Sequence, residues 1–251
     1  MVYRGIENIA FINRVGEKFI TKEGYNIEIF EYVNQSNCSV MFDNGFKKYN
    51  LKYSNVKRGI ISNPFHKLAD GRCLGIDIRT LKGTDYKTSM VTWISFINRC
   101  FRESGEAYKN VASCADWLVF NNFYIWWLKN YNLETMQGWH LDKDILVKGN
   151  KIYSPETCTF VPRDINNLFI KRQNKSGCPL GVRKNRGRFV STMGKGDLKV
   201  YLGTFDTPEE AFQAYKTEKE KYIKEVADKW KDLIDPRVYQ AMYNYQVEIT
   251  D

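Results

Sequence analysis

The chain has only two histidines. One of them, His140, falls in the stretch richest in groups that could do chemistry: residues 138–168, GWHLDKDILVKGNKIYSPETCTFVPRDINNL. Asp142 and Asp144 stand beside it, and Asn166 and Asn167 follow near its end. An imidazole titrates near neutrality and can take a proton there. Carboxylate and amide oxygens are hard donors that suit Mg²⁺ or Mn²⁺. Together these are parts for phosphodiester cleavage, which needs a positioned water, a base, and a cation to neutralise the charge developing in the transition state.

Such parts work only if secondary structure brings them together. Leu141, Ile145 and Val147 read as strand-like apolar positions separated by Asp142, Asp144 and Lys148. Lys148-Gly149-Asn150-Lys151 reads as a turn. Tyr153-Ser154-Pro155 opens a second short element, and Pro162 suits the first turn of a helix carrying Asn166 and Asn167. A strand pair and a helix meeting at one point would let a base and a metal ligand converge from distant positions.

This stretch resembles the HNH (His-Me finger, ββα-metal) nucleases of phages and mobile elements. The matching residues are His140-Leu141-Asp142, then Thr157 to Pro162, then Asn166. The resemblance implies His140 as general base and Asn166 as ligand of one divalent cation, Mg²⁺ or Mn²⁺. Two positions depart from the family. Trp139 stands where a His or Asp ligand is usual, and Thr157 where a central asparagine orients the base. A second register is open, in which Leu141-Asp142-Lys143-Asp144 is the active strand. There Asp142 is the metal ligand, with Asp144 beside it, and His140 is incidental. Asp142 belongs to the motif in both.

The formal net charge is +9, which points toward a polyanionic partner. Residues 171–200 hold nine cations (Lys171, Arg172, Lys175, Arg183, Lys184, Arg186, Arg188, Lys195 and Lys199) against one acid, Asp197. That local excess of eight is nearly the whole imbalance. Gly181-Val182-Arg183, Gly187-Arg188-Phe189-Val190, then residues 200–211, VYLGTFDTPEEA, follow in order. This series resembles the AP-two/ERF DNA-binding domain of plant transcription factors, which is also appended to phage HNH nucleases. It implies a three-stranded antiparallel sheet that reads duplex DNA, backed by a helix. Arg183, Lys184, Arg186, Arg188, Phe189, Lys199 and Tyr201 are the candidate contacts. Phe189 and Tyr201 stand where that family often has tryptophan. Independently, alternation along strands puts every second residue on one face, and arginines there can meet phosphates and guanine edges. Thr207-Pro208-Glu209-Glu210 reads as a capped helix start.

The rest supplies scaffold. Residues 16–64 alternate apolar and polar between the turn signals Asn34–Asn37 and Asp43-Asn44-Gly45. They read as a small SH3-like barrel, with Tyr49, Leu51 and Tyr53 on one face of its last strand. Met90, Trp93, Ile94, Ile97 and Phe101 follow helical spacing, and a second aromatic helix is expected from Cys114, capped by Ser113. Six single cysteines without a Cys-x-x-Cys pair point to reduced thiols rather than zinc. No apolar run approaches the roughly 20 residues that cross a bilayer, and Met1–Gly5 carries no signal-peptide pattern.

The expected architecture is therefore α+β: a small β module over 1–68, a helical scaffold with the ββα motif over 69–170, and the sheet domain with a helical tail over 171–251. The expected function is a cation-dependent homing or nicking endonuclease on duplex DNA in the cytoplasm of a bacterial or phage-infected cell. The alternative is a catalytically inactive, nuclease-derived DNA-binding protein, such as a phage regulator or anti-defence factor. A third class, a protein-binding module whose basic face meets another polyanion, would bind DNA no more weakly after removal of the sheet arginines.

Overall fold

The structure, a computed structural model, describes residues 12–102, 108–170 and 177–249. Lys171, Arg172 and Lys175 of the basic bridge lie outside the described residues. The chain forms two compact units divided at Asp77/Ile78, both of mixed helix and antiparallel sheet.

In the first unit, β1 (Lys18–Ile20), β2 (Asn26–Asn34), β3 (Asn37–Phe42) and β4 (Lys47–Leu51) form an antiparallel meander in chain order. The expected turns join β2 to β3 and β3 to β4. The sheet is open rather than a closed barrel. β1 and β4 are its two edges, and the chain leaves β4 into the short helix α1 (Tyr53–Lys57) instead of a closing strand. Ile27, Ile29, Val40, Phe42 and Val56 form its core. The expected face of β4 is also corrected. Asn50 adopts a left-handed φ of 55°, and the pairing slips between Cys38↔Leu51 and Val40↔Lys48. Lys48 and Leu51 therefore turn inward and Tyr49 outward. The Lys48 ammonium keeps a partner by donating to the Ser62 carbonyl at 2.7 Å.

In the second unit, α2 (Asp85–Phe101) and α3 (Phe120–Asn130) pack through aromatics. Trp93, Phe96, Trp117, Phe120, Phe123 and Trp127 are buried, and the Trp93 indole N–H donates to the Trp117 carbonyl at 2.7 Å. The buried stripe of α2 is Ser89, Trp93, Phe96 and Ile97, so Ile94 and Phe101 of the expected stripe face solvent. α3 starts at Phe120, not Cys114. Ser113 lies in β5 (Ala112–Ser113), and its hydroxyl donates to the Cys114 carbonyl instead of capping a helix.

β6 (His140–Asp142) pairs antiparallel with β8 (Thr159–Val161), and α4 (Arg163–Leu168) follows at once. β7 (Ile152–Tyr153) pairs in parallel with β5. The strand expected to reach Val147 ends at Asp142, for a reason given below. β9 (Val182–Asn185), β10 (Arg188–Lys195) and β11 (Leu198–Phe205) form a three-stranded antiparallel sheet, order β11-β10-β9. Across it lies α5 (Pro208–Trp230), opened by the expected capping box between Thr207 and Glu210. α6 (Pro236–Tyr243) is capped by Asp235. The ββα segment and the sheet share one core: Val161 and Ile165 are buried in the same cluster as Val182, Met193, Ala211 and Tyr215.

The approach to β9 has little tolerance. Gly181 has a φ of 77°, and a Cβ built there would enter the Tyr215 ring. Gly181→Ala combines a left-handed strain with an overpacked core, and should cost about 2–3 kcal/mol. A urea midpoint equal to that of the unaltered protein would sink this account of the close approach.

Candidate functional site

The β6–β8 ribbon has two faces. Cross-strand partners are His140↔Val161, Leu141↔Phe160 and Asp142↔Thr159, and paired side chains share a face. Leu141 and Phe160 turn toward α3, where the Phe160 ring lies 5.5 Å from Trp126 and 4.8 Å from Tyr131. His140, Asp142, Thr159 and Val161 share the opposite face. Val161 packs there with Ile165 of α4, so the helix that carries Asn166 runs along the face that carries His140 and Asp142.

His140 is exposed on this ribbon. Crowding by the protein, then the positive charges of Arg99 and Arg163, push its pKa below the ordinary imidazole value. It is thus neutral, with a nitrogen lone pair available, at physiological pH. Arg163 opens α4 directly after Pro162. Arg99 comes from α2, where its Nη1 donates to the Tyr153 hydroxyl at 3.0 Å. Arg163 lies within the 138–168 stretch, whereas Arg99 lies far outside it and comes near through α2, which packs against β5.

Asp142 ends its own strand. Its Oδ1 accepts from the backbone N–H of Asp144 at 2.9 Å and of Ile145 at 2.7 Å. This Asx turn diverts the chain from extended geometry. Among the described residues, Oδ2 accepts no hydrogen bond. Burial first, then the charge of Asp144, raise the Asp142 pKa above the usual carboxylate range. The charged form is therefore under-compensated, and a cation beside Oδ2 would relieve it. The Asp144 carboxylate pairs with its neighbour, its Oδ2 lying 3.3 Å from the Lys143 ammonium. The Asn166 side chain is half-buried and makes no hydrogen bond among the described residues.

The two departures from the expected motif are explained by packing. Trp139 stacks edge-on to Trp230 at 6.2 Å, at the border of the shared core. The Thr157 hydroxyl donates to the Ile152 carbonyl at 3.0 Å and lies 3.1 Å from the Ser154 hydroxyl, holding the turn into β8. The residue that braces the loop after Asp142 is Asn150. Its Nδ2 donates to the carbonyls of Lys143 at 2.7 Å and Ile152 at 2.8 Å, and its Oδ1 accepts from the Ile152 N–H at 3.2 Å. In the sequence, Asn150 reads only as part of a turn.

Among the described residues no group of three or more His, Cys, Asp or Glu side chains is placed to hold a metal. The oxygen donors here that suit Mg²⁺ are the Asp142 carboxylate and the Asn166 amide. The thiols nearby are not nucleophiles: burial pushes Cys100 up to about 11 and Cys158 up to about 12.

The cationic sheet sorts the other candidates. Val182, Ser191 and Gly203 are cross-strand partners on the face toward α5, and Phe189, Lys184 and Phe205 share that face. Arg183 pairs with Val190, Arg188 with Asn185, Lys199 with Gly194 and Tyr201 with Thr192, all on the outer face. So Arg183, Arg188, Lys199 and Tyr201 come together, whereas Lys184 and Phe189 lie on the other side. Arg186 and Gly187 form the two-residue hairpin turn, with φ 47° and 84°, and place Arg186 at the tip. The Arg188 Nε donates to Asp206 at 2.8 Å, which offsets part of its charge. The Tyr201 hydroxyl lies 2.8 Å from that of Thr204.

No family model, no curated protein and no solved structure matches this chain.

Two consequences are measurable. The carboxyl of Asp142 has a raised pKa, so its contribution favours the fold at low pH and disappears as pH rises through that pKa. Asp142→Asn keeps the acceptor for both N–H groups and removes the charge. Its melting temperature should exceed that of the unaltered protein at neutral pH, with the gap closing in acid; a gap independent of pH would contradict the burial of this charge. Asn150→Ala should cost about 1–3 kcal/mol and speed amide exchange over residues 143–152, and unchanged exchange there would refute the bracing role.

Proposed function

We propose that the protein is a divalent-cation-dependent endonuclease of duplex DNA, of the HNH kind that the 138–168 stretch resembles. The observation that carries this reading is the meeting of His140, Asp142 and α4 on one face of the β6–β8 ribbon, in the same compact unit as a sheet whose outer face holds Arg183, Arg188, Lys199 and Tyr201.

His140 serves as general base, taking a proton from the water that attacks phosphorus as the P–O bond to the leaving oxygen breaks. Crowding by the protein, with the cations of Arg99 and Arg163, favours the neutral imidazole, and the same cations favour a phosphate beside it. Asp142 and Asn166 would hold Mg²⁺ or Mn²⁺, which supplies charge neutralisation at the phosphate when bound. Asn150 and the Asx turn keep Asp142 from drifting. The outer face of the sheet binds duplex DNA as the AP-two/ERF resemblance implies, with arginines meeting phosphates and guanine edges. The cytoplasm of a bacterial or phage-infected cell fits such a substrate.

A second reading, a DNA-binding protein that no longer cleaves, is favoured by Trp139. Its indole packs on Trp230, so the position before the base offers no metal ligand.

Supercoiled plasmid incubated with Mg²⁺ or Mn²⁺ should be nicked or cut, and EDTA should stop this. His140→Ala and Asn166→Ala should each lower the rate by about 10²–10⁴-fold without changing DNA affinity. The acid limb of the rate profile should fall below pH 6.5, because the His140 pKa is lowered from 6.5; a fully active His140→Ala with an inactive Asp142→Ala would instead make Asp142 the central residue. Arg183→Ala with Lys199→Ala should flatten the slope of log K against log salt by about 0.9 for each phosphate that the sheet no longer neutralises. Tight, salt-sensitive binding with no cleavage of any duplex would decide for the second reading.

A further inference from the structure

The ββα segment is fastened to the sheet–helix body at several separate places, more than a nuclease tethered to its reading domain by a linker would need. The first fastening is the shared core, where Val161 and Ile165 interlock with Val182, Ala211 and Tyr215. The second is at the start of β6 and the end of α5, where Trp139 meets Trp230 edge-on and Asp164 pairs with Lys229 at 3.2 Å. The third is the C-terminal segment after α6, which straps the loop beyond Asp142. Lys148 in that loop donates to the Gln246 carbonyl at 2.9 Å, lies 3.4 Å from the Glu248 carboxylate and sits 4.6 Å above the Tyr245 ring. The strap itself is pinned to α5: Lys216 donates to the Val247 carbonyl at 2.7 Å, the Val247 N–H donates to Glu220 at 2.9 Å, and the Val247 side chain is buried.

Packed cores deform little, and elements that share one move as a body. Phosphates of duplex DNA recur at fixed steps along the groove. A base held rigidly to the surface that reads the sequence can reach one phosphate and not its neighbours.

We infer that this joint sets the cleavage position: the scissile phosphate lies at one fixed offset from the sequence the sheet recognises, and Lys148, Trp230 and the 245–248 strap are positioning residues that hold the offset. The inference rests on the nuclease reading above. It gives the C-terminal segment a purpose beyond those of a DNA-reading sheet and helix.

The experiment uses the full chain on end-labelled duplexes carrying one recognised site, with cut positions mapped to the nucleotide. The unaltered protein should give one dominant cut on each strand that it cleaves. Lys148→Met, which alters a partly exposed side chain and should fold normally, and Trp230→Ala should each keep DNA affinity while raising the share of product at neighbouring phosphates about tenfold, as a weakening of about 1.4 kcal/mol at the joint gives. Trp230→Phe should restore the single position, which a general drop in stability would not predict. Scattered cuts by the unaltered protein, or a single cut retained by both Lys148→Met and Trp230→Ala, would overturn the inference and leave the nuclease reading standing. Binding without any cut by the unaltered protein would overturn both together.

Discussion

One carboxylate oxygen governs the geometry of the candidate site. By accepting from the N–H groups of Asp144 and Ile145, Oδ1 of Asp142 stops β6 after three residues. Had the strand continued through Ile145 and Val147, alternation would have carried the chain past α4. Instead the loop turns back and Asn150 ties it to Lys143 and Ile152. β8 then returns beside β6 with α4 at its end. The same carboxylate that shapes the turn carries the raised pKa. The turn thus holds a carboxylate whose charge its surroundings do not fully offset, a perturbation of the kind that clusters at functional sites.

How far the sequence revealed this depends on which interactions are local. The Thr207–Glu210 capping box, the turns of the first sheet and the short helix after Pro162 follow from residues within four positions of each other, and all are present. The three-stranded sheet is an implication of the AP-two/ERF resemblance, and the chain does form one over residues 182–205. Missed features were set by distant parts of the chain. The first sheet stays open because the chain after Leu51 prefers a helical turn, and one left-handed asparagine, Asn50, reverses which side of β4 is inside. Alternation cannot register either. The charge of Arg99 is felt at His140 because α2 packs against β5 and Arg99 bonds Tyr153 of β7, and no spacing rule links residues so far apart in the chain.

The sheet shows the same limit in its electrostatics. The sequence presents a block of cations, yet pleating divides them between two faces. Arg183, Arg188, Lys199 and Tyr201 share the outer one, and Lys184 takes the face toward α5. Lys195, which reads as one more cation, pairs with Glu225 of α5 at 2.6 Å, and Arg188 is partly spent on Asp206. The outer face is therefore less positive than the count implies. Arg183 and Lys199 carry more of its positive potential, which screening at physiological salt confines to about 8 Å.

Trp139 links these threads. At the sequence level it is a defect, an indole where a ligand is expected. In three dimensions it is a joint, set against the last residue of α5. A ligand at that position would add to metal affinity but would leave the start of β6 without its apolar anchor on the sheet–helix body. On the nuclease reading, an arrangement that gives up one ligand would draw more of its cation binding from the substrate's own phosphate, so affinity for the ion should depend on bound DNA. On the same reading, rigid attachment is then more than mechanical support: it would hold Asp142 at a fixed place relative to DNA bound on the sheet.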